Sequence, residues 1–144
     1  MASRPAPRSR PRSPHLFTGP MQFHYRFSPA MLTSITHRAT GAAMATVGAI
    51  LLVWWLAAIA AGEHAYATFR DVFATSAGHL NVIGYVVGIG LTWSVFQHLA
   101  SGIRHLVMDT GAAFELKTNQ LFARMTFVFS IVMTVLFWLW LGLK

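Results

Sequence analysis

The stretch from Leu80 to Met108 reads LNVIGYVVGIGLTWSVFQHLASGIRHLVM. It is long enough for a membrane-spanning helix, which needs about 20 predominantly apolar residues. Its C-terminal half nevertheless carries His98, Arg104 and His105. A charged side chain near the centre of a bilayer costs about 3 kcal/mol on scales from insertion experiments, and such residues usually face the interior of a helix bundle. The stretch therefore predicts a membrane span with a functional site on one face.

The composition of the whole chain also indicates a membrane protein. The 144 residues are 55% hydrophobic and 10% charged, with a mean hydropathy of +0.52, which is too apolar for an ordinary soluble domain. The chain has no cysteine, so disulfides, thiolate zinc sites, iron–sulfur ligation and cysteine nucleophiles within it are excluded. Any cofactor must be held by histidine, methionine or the four carboxylates.

The positive charge of the chain, +7 in net terms, is concentrated before the first long apolar run. A basic arm of this kind can bind nucleic acid or anionic lipid, or it can flank a membrane span on the cytoplasmic side. Because apolar spans follow directly, we favour the membrane interpretation and predict no nucleic-acid partner. The arginines concerned, with no acidic residue among them, are Arg4, Arg8, Arg10, Arg12, Arg26 and Arg38.

The apolar pattern predicts an all-α fold, a bundle subunit of three transmembrane helices behind a basic, mostly irregular N-terminal arm. The arm comprises residues 1–27, where prolines oppose a helix, and the membrane-anchor domain comprises residues 28–144. The spans lie at about 30–61, 80–108 and 120–143. Residues 62–78 and 109–120 are expected to be short linkers.

The basic arm also predicts the orientation of the spans. Arginine and lysine accumulate in cytoplasmic segments, so the arm and the 109–120 linker are expected inside and the 62–78 linker outside. His37 of the first span and His98 of the second span are then expected to lie towards the same side of the membrane.

One face of the second span carries a candidate cofactor site. His98, Ser101, Gly102 and His105 follow i, i+3, i+4, i+7 spacing, which aligns them along one helix face. Gly102 leaves room for a flat group or a neighbouring helix. A neutral imidazole at this depth is a good haem-iron ligand, and Arg104 supplies a cation for haem carboxylates. The alternative is a histidine that is hydrogen-bonded to another helix without a cofactor.

Helix geometry limits how such a haem is ligated. His98 and His105 lie about 10 Å apart along the helix axis, so they cannot ligate one iron from opposite sides. A second ligand must come from another helix. His37 and a histidine of a partner subunit are both candidates.

The first span carries a second polar face. Ser34, His37, Arg38 and Gly41 repeat the same helical spacing. A hydroxyl, an imidazole and a guanidinium at the membrane boundary can hydrogen-bond a quinone carbonyl or a carboxylate. The alternative is a snorkelling arginine beside an interfacial histidine without a ligand. The polar face of the second span favours the ligand site.

Other candidate ligands are weaker. The third span is rich in Phe, Leu, Val and Trp after Arg124, which indicates helix packing and lipid contact. Met125 and Met133 are expected to pack, and His64 and His79 are expected to be solvated.

At three motifs the chain resembles the cytochrome b556 membrane-anchor subunits of succinate dehydrogenase, respiratory complex II. The first is RPRSPHL at Arg10–Leu16, the second is SITHRATG at Ser34–Gly41, and the third is HLASGIRHL at His98–Leu106 followed by Met108-Asp109. The third motif is highly specific and the first is weak alone. Arg12 departs from the aliphatic residue that is more usual in the family.

The resemblance implies a four-subunit enzyme in which a flavoprotein subunit oxidises succinate and an iron–sulfur subunit relays the electrons. This chain and a second small membrane-anchor subunit would hold both in the membrane, and would bind haem b and ubiquinone. His98 would be the axial haem ligand, with the other histidine from the second anchor subunit. Ser34 and Arg38 would line the quinone site, His37 and Arg38 would reach the haem propionates, and His105 would support the haem pocket.

The same resemblance implies that this chain binds no succinate and has no catalytic residue of its own. A haem-free structural anchor of a related complex is the alternative function. The expected location is a bacterial inner membrane, with the N-terminus cytoplasmic, and a mitochondrial inner membrane is the less favoured alternative.

Overall fold

The computed structural model describes residues 17–19, 22–23 and 27–143, and nearly all of them are helical. The three-helix membrane fold predicted from the apolar pattern is confirmed, because three helices are long and apolar enough to cross a membrane. In chain order the helical elements are α1 (Pro29–Ala43), a π-helical segment (Met44–Gly48), α2 (Ala49–Ala61), α3 (Glu63–Phe73), α4 (Val82–Asp109) and α5 (Leu116–Gly142).

Only part of the N-terminal arm lies within the described residues. There, strands β1 (Phe17–Gly19) and β2 (Gln22–Phe23) pair antiparallel, with Phe17 opposite Phe23. The motif at Arg10–Leu16 lies outside the described residues.

The first span is continuous from α1 through the π-helical segment to α2, Pro29–Ala61. Ser28 caps it, since its Oγ accepts a hydrogen bond from the Met31 backbone N–H at 3.2 Å. Pro29 follows at a position where no backbone N–H is needed. The span ends at Gly62, whose φ of 100° is a conformation that L side chains rarely adopt.

The segment expected to be a linker at 62–78 contains α3, which the sequence interpretation missed. α3 lies against the end of α2, where the Trp54 ring contacts the rings of Phe69 and Phe73 at centroid distances of 4.9 and 6.1 Å. Asn81 connects α3 to α4, because its Nδ2 donates to the Val72 carbonyl and its Oδ1 accepts from the Gly84 N–H. Aromatic contact with the first span and the Asn81 hydrogen bonds together hold α3 in place.

The interior of the bundle is polar. Large apolar side chains are mostly exposed along all three spans, as expected where lipid surrounds the helices. Gln97 of α4 is fully buried and joins α5 through two hydrogen bonds, donating to Thr126 Oγ1 at 3.4 Å and accepting from Ser130 Oγ at 2.7 Å. Thr33 of α1 reaches the Ala123 carbonyl at 3.3 Å. These small and polar side chains let the three helices approach closely.

Candidate functional site

The contact between α1 and α4 brings the predicted histidines together. The rings of His37 and His98 are stacked, with centroids 3.9 Å apart and planes 11° from parallel. The His105 ring meets the His37 ring edge-on at 5.3 Å. Residues more than 60 positions apart in the chain thus form one cluster, which we call the histidine cluster (His37, His98 and His105).

Backbone hydrogen bonding sets the tautomer of His98. Its Nδ1 lies 3.0 Å from the His37 carbonyl oxygen. Because a carbonyl only accepts, Nδ1 must carry the proton and donate. The lone pair of His98 is therefore on Nε2, the atom through which a histidine held in this way binds a metal.

Ser101 holds His37 in a similar manner. The fully buried Ser101 hydroxyl lies 2.6 Å from the Gln97 carbonyl, to which it donates, and 2.7 Å from His37 Nδ1. Because the hydroxyl has one proton, it accepts from His37 Nδ1–H. Ser101 thereby fixes the His37 ring relative to the backbone of α4 at Gln97.

The stacking of the two rings limits how His37 and His98 could act together as metal ligands. Two histidines that ligate one iron from opposite sides lie across it from each other, whereas the His37 and His98 rings lie face to face at 3.9 Å. As they lie here, His37 and His98 could not ligate a single iron from opposite sides.

Gly41 is what allows α1 to pass so close to His98. A Cβ atom at Gly41 would lie 2.8 Å from His98 Cε1, closer than real Cβ contacts. At Gly102 a Cβ would lie 3.8 Å from His37 Cε1, an ordinary contact. The glycine on which the close approach depends is therefore the one in the first span.

Ser34 and Arg38 lie one helical turn apart on α1. Arg38 is exposed and Ser34 is half-buried. Within residues 27–143 no hydrogen bond occupies either side chain. Both groups are therefore free to donate to a ligand or to a partner subunit.

Arg104 lies on a different side of α4 from the histidine cluster, and not beside it as expected for a partner of haem carboxylates. It is buried, and its Nη2 donates to Asn119 Oδ1 of α5. The physical reason is angular, since the six residues from His98 to Arg104 turn the helix by about 240°. Sequence reasoning missed Gln97 and Asn119, although amides at apolar helix interfaces are a detectable signal.

Comparison with known proteins decides the family. The profile of the succinate dehydrogenase/fumarate reductase transmembrane subunit family matches residues 6–137. The chain belongs to this family. The succinate dehydrogenase cytochrome b556 subunit of Paracoccus denitrificans is 32% identical over 128 residues, covering 89% of this chain and 88% of that protein.

Other relatives of this transmembrane-subunit family agree. The cytochrome b556 subunit of Rickettsia felis is 32% identical over 129 residues, covering 90% of each chain. The succinate dehydrogenase cytochrome b560 subunit of Reclinomonas americana is 27% identical over 134 residues, covering 90% of this chain and 87% of that one. The resemblance inferred from the motifs is thus confirmed, and the chain is a multi-pass membrane protein.

Proposed function

We propose that this chain is the membrane-anchoring cytochrome b subunit of a succinate:ubiquinone oxidoreductase, which serves respiratory electron transport and the tricarboxylic acid cycle. Family membership and three spanning helices support the anchoring role. The hydrogen bond from His98 Nδ1 to the His37 carbonyl is the observation that carries the haem assignment, because it leaves Nε2 free as a ligand.

The residues present fit haem b. His98 Nε2 would hold the iron, and a histidine of a second small anchor subunit would supply the other axial ligand. His37 and Arg38 would approach the propionates, and His105 would line the surroundings. Haem supplies a one-electron redox centre when bound, with a potential set by axial ligation and burial.

Ser34 and Arg38 would hold ubiquinone at the end of the first span. The Ser34 hydroxyl and the Arg38 guanidinium donate hydrogen bonds to a quinone carbonyl oxygen, and the positive charge favours negative charge that develops there. Quinone reduction to quinol consumes two electrons, delivered through the iron–sulfur subunit, and two protons from the same side of the membrane.

The remaining partners and the location follow from the same proposal. The chain and the second anchor subunit hold the iron–sulfur and flavoprotein subunits at the membrane, and membrane lipid surrounds the helices. The basic arm supports a cytoplasmic N-terminus in a bacterial inner membrane, because arginine and lysine accumulate in cytoplasmic segments.

Purification through a tag on the iron–sulfur subunit tests the proposal. We expect this chain, a second anchor subunit and the flavoprotein to co-purify, with a b-type α-band in the dithionite-reduced minus oxidised spectrum. Intact four-subunit complex without the band would leave the haem-free structural anchor instead. Absence of this chain from the complex would refute the anchoring role.

Gly41→Ala is expected to lower the haem content of the complex several-fold. The added methyl would meet His98 Cε1 at 2.8 Å, which displaces the proposed ligand. Gly48→Ala is the matched control on the same span, because its nearest contact would be an ordinary 3.6 Å to Leu91. Haem per flavin in the purified complex measures the effect. Equal haem content in both variants would contradict the positioning of His98 by this contact.

A further inference from the structure

A cavity on the face between α4 and α5 lies apart from the histidine cluster. It measures about 280 Å³, close to the lower limit of roughly 300 Å³ for small-molecule pockets. Its lining is apolar apart from Arg104, Asn119 and Thr126, and includes Ile103, Val107 and Phe129. We call it the α4–α5 groove. Such a lining suits a hydrocarbon chain.

Within residues 27–143 no anion compensates the charge of Arg104 in this groove. The side chain is 93% buried, since 7% of its surface is exposed. Among residues 27–143 the single ion pair joins Arg70 to Asp71. Arg104 Nη2 donates to the neutral Asn119 amide, and the buried Nε has no hydrogen-bond partner in the described chain. A buried cation with an unused donor favours an external anion.

The depth of Arg104 identifies the source of that anion. The 28 residues of α4 extend for about 42 Å, which exceeds a hydrocarbon core of about 30 Å by roughly 6 Å at each end of a centred helix. Arg104 precedes the end of α4 at Asp109 by about 7.5 Å. It therefore lies at the boundary between acyl chains and headgroups, where lipid phosphates are found.

We propose that the α4–α5 groove binds a membrane phospholipid. One acyl chain lies against Ile103, Val107 and Phe129, and a phosphate oxygen accepts the hydrogen bond of Arg104 Nε–H. The groove is separate from the proposed haem ligand, because the histidine cluster lies between α1 and α4 whereas Arg104 donates to Asn119 of α5. The site is independent of the haem and quinone assignments.

Native mass spectrometry of the detergent-washed four-subunit complex tests the site. The probes are phosphatidylglycerol, a diacylglycerol with the same chains, and inorganic phosphate. We expect one retained phosphatidylglycerol per complex, at least tenfold weaker binding of the diacylglycerol, and weaker binding of inorganic phosphate still. Arg104→Gln should weaken phosphatidylglycerol binding tenfold or more, whereas Arg124→Gln, an exposed arginine on α5, should leave it unchanged.

Ala100→Leu gives a second route, because it fills the groove and keeps Arg104. The added side chain should also weaken phosphatidylglycerol binding. This variant tests the lipid site if the Arg104→Gln complex does not assemble. Equal phosphatidylglycerol binding by wild type and the groove variants would overturn the proposal. So would equal binding of the diacylglycerol, tighter binding of inorganic phosphate, or a wild-type complex that retains no lipid because a partner subunit fills the groove.

Discussion

His98→Ala is expected to remove haem b from the complex, lowering haem per flavin by tenfold or more. The hydrogen bond from Nδ1 to the His37 carbonyl leaves the lone pair of His98 on Nε2, where it is free to bind the iron. Loss of a supporting side chain around a metal already costs about 10–100-fold in affinity or activity, and loss of the ligand itself should cost at least as much. The reduced minus oxidised spectrum of the purified complex measures the effect.

The matched control is His64→Ala, which removes an exposed histidine on α3. It should keep the full α-band. Subunit ratios on a denaturing gel should be the same in both variants, so that haem loss is separated from failed assembly. A His98→Ala complex with an unchanged spectrum would refute the ligand assignment.

Arg38→Ala is expected to lower succinate–quinone reductase activity by about 10–100-fold while succinate oxidation with an artificial dye persists. A hydrogen bond from a charged donor is worth about 1.5–3 kcal/mol, which corresponds to that range at roughly 1.4 kcal/mol for each tenfold. The side chain is exposed and free of hydrogen bonds within residues 27–143. Its removal should therefore disturb a bound quinone more than the fold of this chain.

Two variants sharpen the Arg38 test. Arg70→Ala removes an exposed arginine of α3 and should leave the ratio of quinone to dye activity unchanged. Arg38→Lys keeps the charge without the planar guanidinium and should retain part of the quinone activity. A parallel loss of both activities in Arg38→Ala would indicate an assembly role and contradict the quinone assignment.

The weakest part of the sequence interpretation was the segment between the first two spans. The charges around Glu63 and Arg70 suggested a solvated linker, whereas Trp54 of the first span contacts Phe69 and Phe73 to order α3. This contact joins two elements across the Gly62 turn. The segment itself carried a helical signal, because Tyr66, Phe69 and Phe73 follow i, i+3, i+7 spacing, but that spacing does not reveal which neighbour the rings meet.

The histidine cluster shows what helical spacing alone can predict, namely which residues share one face of a helix. The spacing correctly placed His98 and His105 on one face of the second span, and the structure turns that face to His37. Arg104 shows the limit, since its partner Asn119 belongs to the third span. A lone helix does not reveal which neighbour each face meets.

By itself, the sequence determined the number of spans and the polar positions on each, because hydrophobic length and a 3.6-residue period act within one segment. It also carried the motifs that indicate the family. The tertiary structure alone decided that His37 stacks on His98, that Gln97 and Arg104 face α5, and that a groove lies beside Arg104. These features depend on how the helices are rotated against one another, and that rotation is settled by close packing between segments far apart in the chain.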